Sequence, residues 1–451
     1  MQVPSSASAG WAASPRSSAR WKALIHASVR ARSVASAVEK PAEIFDREVE
    51  WDELVRFARL PQGGATLGVV SGRRRQGKTF LLDALVRAAG GFLFTATESS
   101  EADALRQYGE ALGDYLGEAT PLRFADWDEA VTRTMTLAPA GPLPVVIDEF
   151  PFLARVSPAL PSIIQRALDP AGQRSNTQVR LLLCGSALSF MGNLLSGAAP
   201  LRGRAGLELV VRTLDYRSAA RFWGIADPRT ALQVNAIVGG TPAYRHEFTQ
   251  DDSPAGPDDF DDWVVRAVLN PARPLFREAR YLLAEEPDIR DPALYHSVLA
   301  AIADGRTRRG EIANFLGRQP SDLAHPLGVL KDVGLVVRET DAFKSNRGVY
   351  RIAEPLLVFY HAVMRPARGD LERSGRSRQV WPRLQRTFLS KVVGPHFETI
   401  CREWARWEAD PDVLGGVPTR VAAGVVNDPA ARTRHEVDVA VFSRDEQGHE
   451  E

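Results

Sequence analysis

The sequence predicts an α/β fold built on a parallel sheet, with smaller modules after it. Three observations carry that prediction. The apolar run 66–71 (TLGVVS) passes through a glycine turn, Gly72-Arg73-Arg74-Arg75-Gln76-Gly77-Lys78-Thr79, into Phe80 and a stretch with apolar residues at helical spacing. A second apolar run, 143–148, ends in two carboxylates, Asp148 and Glu149. A third, 179–185 (VRLLLCG), ends at Ser186. Short continuous apolar runs of this kind read as strands covered on both faces, and their alternation with helical patterns points to a parallel sheet.

At 451 residues the chain exceeds one compact core, so more than one domain is expected. Apolar residues at 44% and charged residues at 25% are ordinary for a soluble globular protein. No apolar run is long enough to span a bilayer, and a soluble, cytoplasmic protein is expected. The two cysteines, Cys184 and Cys401, exclude a disulfide framework and sit in no metal-ligand spacing. The formal charge of zero says nothing about partners, because charge is unevenly distributed. Residues 1–40 read as a disordered extension. Up to position 38 they contain five basic residues and no acidic one, a composition like that of an organelle transit peptide. An over-long gene start accounts for the same segment equally well.

The folded part is expected to open with a core over residues 41–213. Ile44, Phe45, Trp51 and Leu54 alternate with charged residues as an amphipathic helix requires. In the glycine turn, Gly72 and Gly77 let backbone N–H groups approach phosphate oxygens at the positive end of the next helix. Lys78 would supply an ammonium to the outer phosphates and Thr79 a hydroxyl to Mg²⁺, with residues 72–80 lining the nucleotide. Residues 91–97 read as a second strand and 102–116 as a polar helix. Asp148 would hold Mg²⁺ beside the loop, and Glu149 would orient or deprotonate the attacking water. Ser186 is either a sensor of the outer phosphate or part of a Gly-Ser turn. Arg202 and Arg204, just before a strand at 207–211, either stabilise charge on the transferred phosphoryl group or are solvated loop arginines.

GRRRQGKT, VVIDEF, LLLCGSA, PLRGR and the later VGGTPAY (238–244) follow one another in the order seen in the archaeal-type ATPase family. These are P-loop proteins close to AAA+ and grouped with the STAND signalling ATPases. Phe45-Asp46-Arg47-Glu48 is similar to the family's N-terminal signature, and the resemblance covers residues 44–365, more weakly beyond. It implies a five-stranded parallel P-loop NTPase sheet with a helical lid after Leu214, and ATP as the nucleotide.

The lid is expected over 214–290, broken by the Gly239-Gly240-Thr241-Pro242 turn near the nucleotide. Within it, the Asp-rich stretch 251–262 reads as a solvated loop. Over 291–365 the pattern helix, helix, helix, hairpin is that of a winged helix, with Ser321 expected to cap the third helix. That module serves DNA or protein recognition. Nine basic against seven acidic residues over 291–353 do not decide between them, and Pro326 weakens the third helix as a DNA reader. Residues 365–391 hold eight basic residues against two acidic, with Trp381 and Phe388 interleaved, as a phosphate-backbone contact would need.

Over 366–451 a basic linker is expected to lead into a tail which, by the same resemblance, is similar to restriction-endonuclease-like PD-(D/E)xK folds. Glu398 and Asp438 match the first two metal-holding carboxylates. With no E-x-K strand read after them, a truncated, inactive tail is expected. The reading is therefore an Mg-ATP-binding P-loop ATPase, a slow nucleotide-driven switch coupled to a winged helix. DNA, a protein partner or an oligomer is its expected target. The alternatives are an ATP-responsive DNA-binding regulator and a remnant of an ATP-coupled nuclease.

Overall fold

The computed structural model describes residues 38–60, 64–138, 141–169, 177–284, 286, 289 and 291–443, with backbone alone at 345–347. The basic extension 1–37 and the acidic end 444–451 lie outside the described residues. Helix α1 (Glu48–Ala58) leads in, burying Trp51, Leu54 and Phe57. Strands β1 (Thr66–Ser71), β2 (Phe92–Thr95), β3 (Leu143–Asp148), β4 (Val179–Gly185) and β5 (Ala205–Val210) form one sheet in the order β2-β3-β4-β1-β5. Every neighbouring pair is parallel, with Ser71 opposite both Gly185 and Val210, and Thr95 opposite Asp148. All strands therefore end at the same edge, which receives the segments after Ser71, Asp148 and Gly185.

Helices cover both faces. On one, α2 (Lys78–Ala89) buries Leu81, Leu82 and Leu85 against α1 and the sheet. On the other, α3 (Glu101–Leu116), α4 (Trp127–Met135), α5 (Phe150–Val156) and α6 (Leu160–Ala167) share a core with β2, β3 and β4. Local chemistry sets their starts. Ser100 Oγ accepts from Asp103 N–H at 3.2 Å, and Asp126 Oδ1 from Glu129 N–H at 3.0 Å, as capping side chains do. After α7 (Leu188–Asn193) the chain returns to β5.

Beyond the sheet come α8 (Tyr216–Trp223), α9 (Pro228–Val238), α10 (Leu275–Ala284), α11 (Pro292–Ala303), α12 (Arg309–Leu316) and α13 (Ala324–Asp332). The antiparallel pair β6 (Val336–Asp341) and β7 (Lys344–Ile352) follows, then α14 (Pro355–Phe359) and α15 (Ser377–Phe388). One hydrophobic core runs through all of them, from Leu214 to Val392, across the positions where separate units were expected. Last come α16 (Gly394–Trp407) and the antiparallel pair β8 (Arg420–Asp428) and β9 (Thr433–Phe442). Arg402 and Arg406 fasten α16 to that pair through the Asp438 and Val421 carbonyls, at 3.0 and 2.6 Å. Among the described residues no helix is long and apolar enough to cross a membrane.

Three local expectations are corrected. The stretch 251–262 is not a solvated loop. Asp252 and Asp259 grip Arg266 at 2.9 and 2.6 Å, and Asp262 pairs with Arg378 at 2.8 Å. Asp261 accepts from Trp381 Nε1 and Gln385 Nε2, both at 2.7 Å. Asp252 and Asp259 find a cation 14 and 7 residues on, and Asp261 and Asp262 find partners more than 100 residues away, which composition alone cannot reveal. Trp381 and Phe388 are core residues rather than exposed aromatics, because α15 turns one apolar face inward. Ser321 lies in a 3₁₀ turn (Pro320–Leu323) ahead of α13, where Asp322 Oδ2 accepts from Gln319 N–H at 3.2 Å. Pro326 falls in the first turn of α13, where a missing N–H is tolerated.

Candidate functional site

The loop between β1 and α2 turns through two glycines with different tasks. At Gly72 (φ 154°) a Cβ would stand 2.3 Å from the Val211 carbonyl, so only glycine lets the loop lie against the end of β5. Around Gly77 (φ 86°) nothing lies within 4 Å of where a Cβ would be. This leaves an open cradle at the start of α2, whose first N–H groups have no side-chain cap. Lys78 is buried there, its Nζ donating to Gly72 O at 2.7 Å and Arg73 O at 2.9 Å. Burial pushes its ammonium below the usual lysine range, while Cys184, Glu149 and Asp148 oppose that shift.

Two neighbouring strands complete the cluster. Thr79 Oγ1 donates to Asp148 Oδ2 at 2.6 Å, and Asp148 Oδ1 accepts Glu149 N–H at 2.9 Å. Glu149 holds a left-handed backbone (φ 50°) between β3 and α5, a conformation that costs a non-glycine residue about 1–3 kcal/mol. Its carboxylate accepts from Ser186 Oγ at 3.1–3.2 Å. Strands β1, β3 and β4 thus bring Lys78, Thr79, Asp148, Glu149 and Ser186 together. The Thr79 hydroxyl and Asp148 carboxylate, side by side, are the hard oxygen donors that suit Mg²⁺. Cys184, on β4 behind them, has its thiol raised well above the usual value, first by burial and then by Asp148.

The other residues read as candidates lie as follows. Gln76 is buried beneath the loop, and the Phe80 ring is half exposed at 47% beside Thr79. Arg74 lies near enough to Lys78 to depress its ammonium further. Arg73 pairs with Glu354 at 2.7 Å, and Arg75 with Glu278 at 2.8 Å, its guanidinium 5.3 Å from the Phe248 ring centre. Arg202 and Arg204 are not brought to the cluster. They precede β5, whose first residue Ala205 lies opposite Leu67, so they sit at the sheet edge away from the loop. Arg202 donates to Gly197 O at 2.7 Å, and Arg204 pairs with Asp169.

Glu278 and Glu354 were missed from the sequence. A faint signal exists for one of them: Glu278 lies on the apolar stripe of α10 with Leu275, Ala279 and Leu282, where a carboxylate needs a cation. The Gly239-Gly240 turn ends α9. A Cβ at Gly240 would stand 1.9 Å from the Leu214 carbonyl, and Leu214 N–H donates to Gly240 O at 2.9 Å. This turn, with Gly72 and Arg73, lines a cleft of 1640 Å³ that extends to Glu398 and Arg402 on α16; Lys78, Thr79, Asp148 and Glu149 do not line it. Burial, then the charges of Asp438 and Glu436, raise the Glu398 carboxyl above its usual value. Among the described residues no group of three or more His, Cys, Asp or Glu side chains is arranged to hold a metal.

No family model matches the chain. It is 27% identical over 331 residues to the uncharacterized protein MJECL04 of Methanocaldococcus jannaschii, covering 72% of this chain and 70% of that protein. Among solved structures, it resembles the Walker-type ATPase PABY2304 of Pyrococcus abyssi with a TM-score of 0.53 and 18% identity, over 72% of this chain and 97% of that one. The ORC2 protein of Aeropyrum pernix aligns at a TM-score of 0.42 and 14% identity, over 80% and 98% of the two chains. With its five-stranded parallel sheet, the core has the P-loop NTPase α/β fold.

Proposed function

We propose that this chain, whose core has the P-loop NTPase fold, binds Mg-ATP and hydrolyses it slowly as a switch. One observation carries the reading: three adjacent strands, β3, β4 and β1, bring Asp148, Glu149, Ser186, Lys78 and Thr79 to a single cradle. The Gly77 turn and the α2 N–H groups bind phosphate oxygens. Lys78 leaves its loop carbonyls for the outer phosphates. Thr79 and Asp148 would hold Mg²⁺, which when bound neutralises charge on the phosphate oxygens. Glu149, oriented by Ser186, takes the proton of the attacking water. Residues 291–365 are read as a winged helix that moves with the lid in response to nucleotide. Isothermal titration of ATP, ADP and GTP with and without magnesium tests the reading. Magnesium-dependent ATP binding that Lys78→Ala removes is expected; equal binding by the variant overturns it.

A second reading concerns the partner. On and before α15, Arg373, Arg376, Arg383 and Arg386 are exposed and have no ion-pair partner among the described residues. By contrast, Arg368, Arg378 and Lys391 of the same stretch pair with Glu372, Asp262 and Asp304. Positions 376, 383 and 386 share one helical face, which suits a run of phosphates in DNA. Mobility shifts on duplex DNA across a salt series should show a slope that falls by roughly one per arginine changed to glutamine. A flat salt response would remove DNA from this face.

A further inference from the structure

The phosphate loop is tied to the C-terminal half of the chain by two ion pairs that the hydrolytic chemistry does not use. Arg73 meets Glu354 at the junction of β7 and α14, and Arg75 meets Glu278 on α10. Both carboxylates are nearly inaccessible, at 1% for Glu278 and 2% for Glu354. Tyr244 is buried in the same cluster, within electrostatic reach of both glutamates and both arginines. The backbone seals the junction. A Cβ at Gly334, just before β6, would stand 3.5 Å from Arg73 Cδ and 3.1 Å from Leu188 Cδ1. At Gly239 it would stand 3.2 Å from Pro355. Glu354 Oε1 has no hydrogen-bond partner among the described residues, so this buried carboxylate is not fully satisfied by the arginine it holds.

A buried carboxylate half-satisfied by one arginine contributes little to stability, and it competes directly with any other anion brought to that arginine. A nucleotide triphosphate is such an anion, and the loop is where it would arrive. We propose that Glu278 and Glu354 form a latch, standing in for phosphate oxygens on Arg75 and Arg73, and that bound nucleotide weakens both pairs and loosens α10 and the β7–α14 junction. The inference rests on the nucleotide-binding reading and gives it a direction. The latch lowers nucleotide affinity, and by reciprocity nucleotide lowers the hold of the C-terminal half on the loop.

The full-length protein is titrated with Mg-ATP as the parent and as Glu278→Gln, Glu354→Gln, Arg73→Gln and the Arg73→Gln/Glu354→Gln pair, while amide exchange of 275–284 and 352–359 is followed. Glu278→Gln and Glu354→Gln are each expected to tighten binding by about fivefold or more. The Glu354→Gln gain should vanish when Arg73 is also changed, which a merely structural role for Glu354 would not produce. In the parent, ATP should speed exchange in both segments. If Glu354→Gln does not fold, the paired variant, which leaves no unpaired charge, serves instead: it should lose the ATP-induced exchange at 352–359. Parent binding with unchanged affinity in Glu278→Gln and Glu354→Gln and no ATP effect on exchange overturns the latch and leaves nucleotide binding standing. A parent that binds no nucleotide overturns both.

Discussion

The two edges of the central sheet carry charge in opposite ways. At the edge where the strands begin, the described cations Arg180, Arg202 and Arg204 each have partners within the chain. Arg180, fully buried on β4, donates to the carbonyls of Gly64 (2.9 Å), Val179 (3.4 Å) and Leu60. Arg204 has Asp169 and Arg202 has Gly197 O. At the edge where the strands end, Lys78 is buried with its Nζ hydrogen-bonded to its own loop carbonyls, and Glu149 accepts the strain of a left-handed backbone. Charge that is fully answered locally builds structure. Charge held at a cost, beside an open cradle, is charge kept for a ligand.

Substitutions can break this contrast. The largest effect is expected from Glu149→Gln, which should slow ATP turnover by about 10²–10⁴-fold with affinity retained; surviving turnover would remove Glu149 as the base. Lys78→Ala should weaken ATP binding on the order of 100-fold, about 2.7 kcal/mol by titration, without lowering the melting temperature. Arg180→Leu should do the reverse. Leaving buried carbonyls without their donor should cost about 2–4 kcal/mol in urea unfolding, while ATP affinity holds. Arg204→Gln should change stability by less than about 0.5 kcal/mol and turnover not at all; a tenfold loss of turnover would bring that arginine to the site.

The smallest effect sharpens the contrast at a third place, the α16–β9 carboxylates. Glu398 has a raised carboxyl in the folded state. Its burial penalty is therefore absent below the unfolded value, grows as pH rises through the raised folded value, and is constant above. Glu398→Gln should raise the melting temperature at neutral pH by on the order of 1 °C. The gain should disappear below about pH 4, where both states are protonated.

The sheet was legible because β1, β3 and β4 are covered on both faces and read as largely apolar runs bounded by turn residues, with Arg180 the charge inside β4. β5 was harder to bound. As an edge strand it alternates half-buried and exposed positions, and it begins two residues before the run read from the sequence. Lys78, Thr79, Asp148 and Glu149 follow local patterns, so their convergence could be foreseen from strand order. The carboxylates on Arg73 and Arg75 could not, because an ion pair between distant elements leaves no periodic trace. In 365–391 the charge count hid a helical face: Val380, Trp381 and Phe388 point into the core while the free arginines take the other side.

The aspartates of 251–262 also bear on where the molecule can be cut. Because Asp261 and Asp262 fasten Trp381, Gln385 and Arg378, and Phe260 stacks on Phe388 with ring centres 5.9 Å apart, a fragment ending near 365 would strip that cover from Phe260. Such a piece should aggregate, whereas one running past 393 keeps Phe388 over Phe260 and should stay monodisperse on gel filtration.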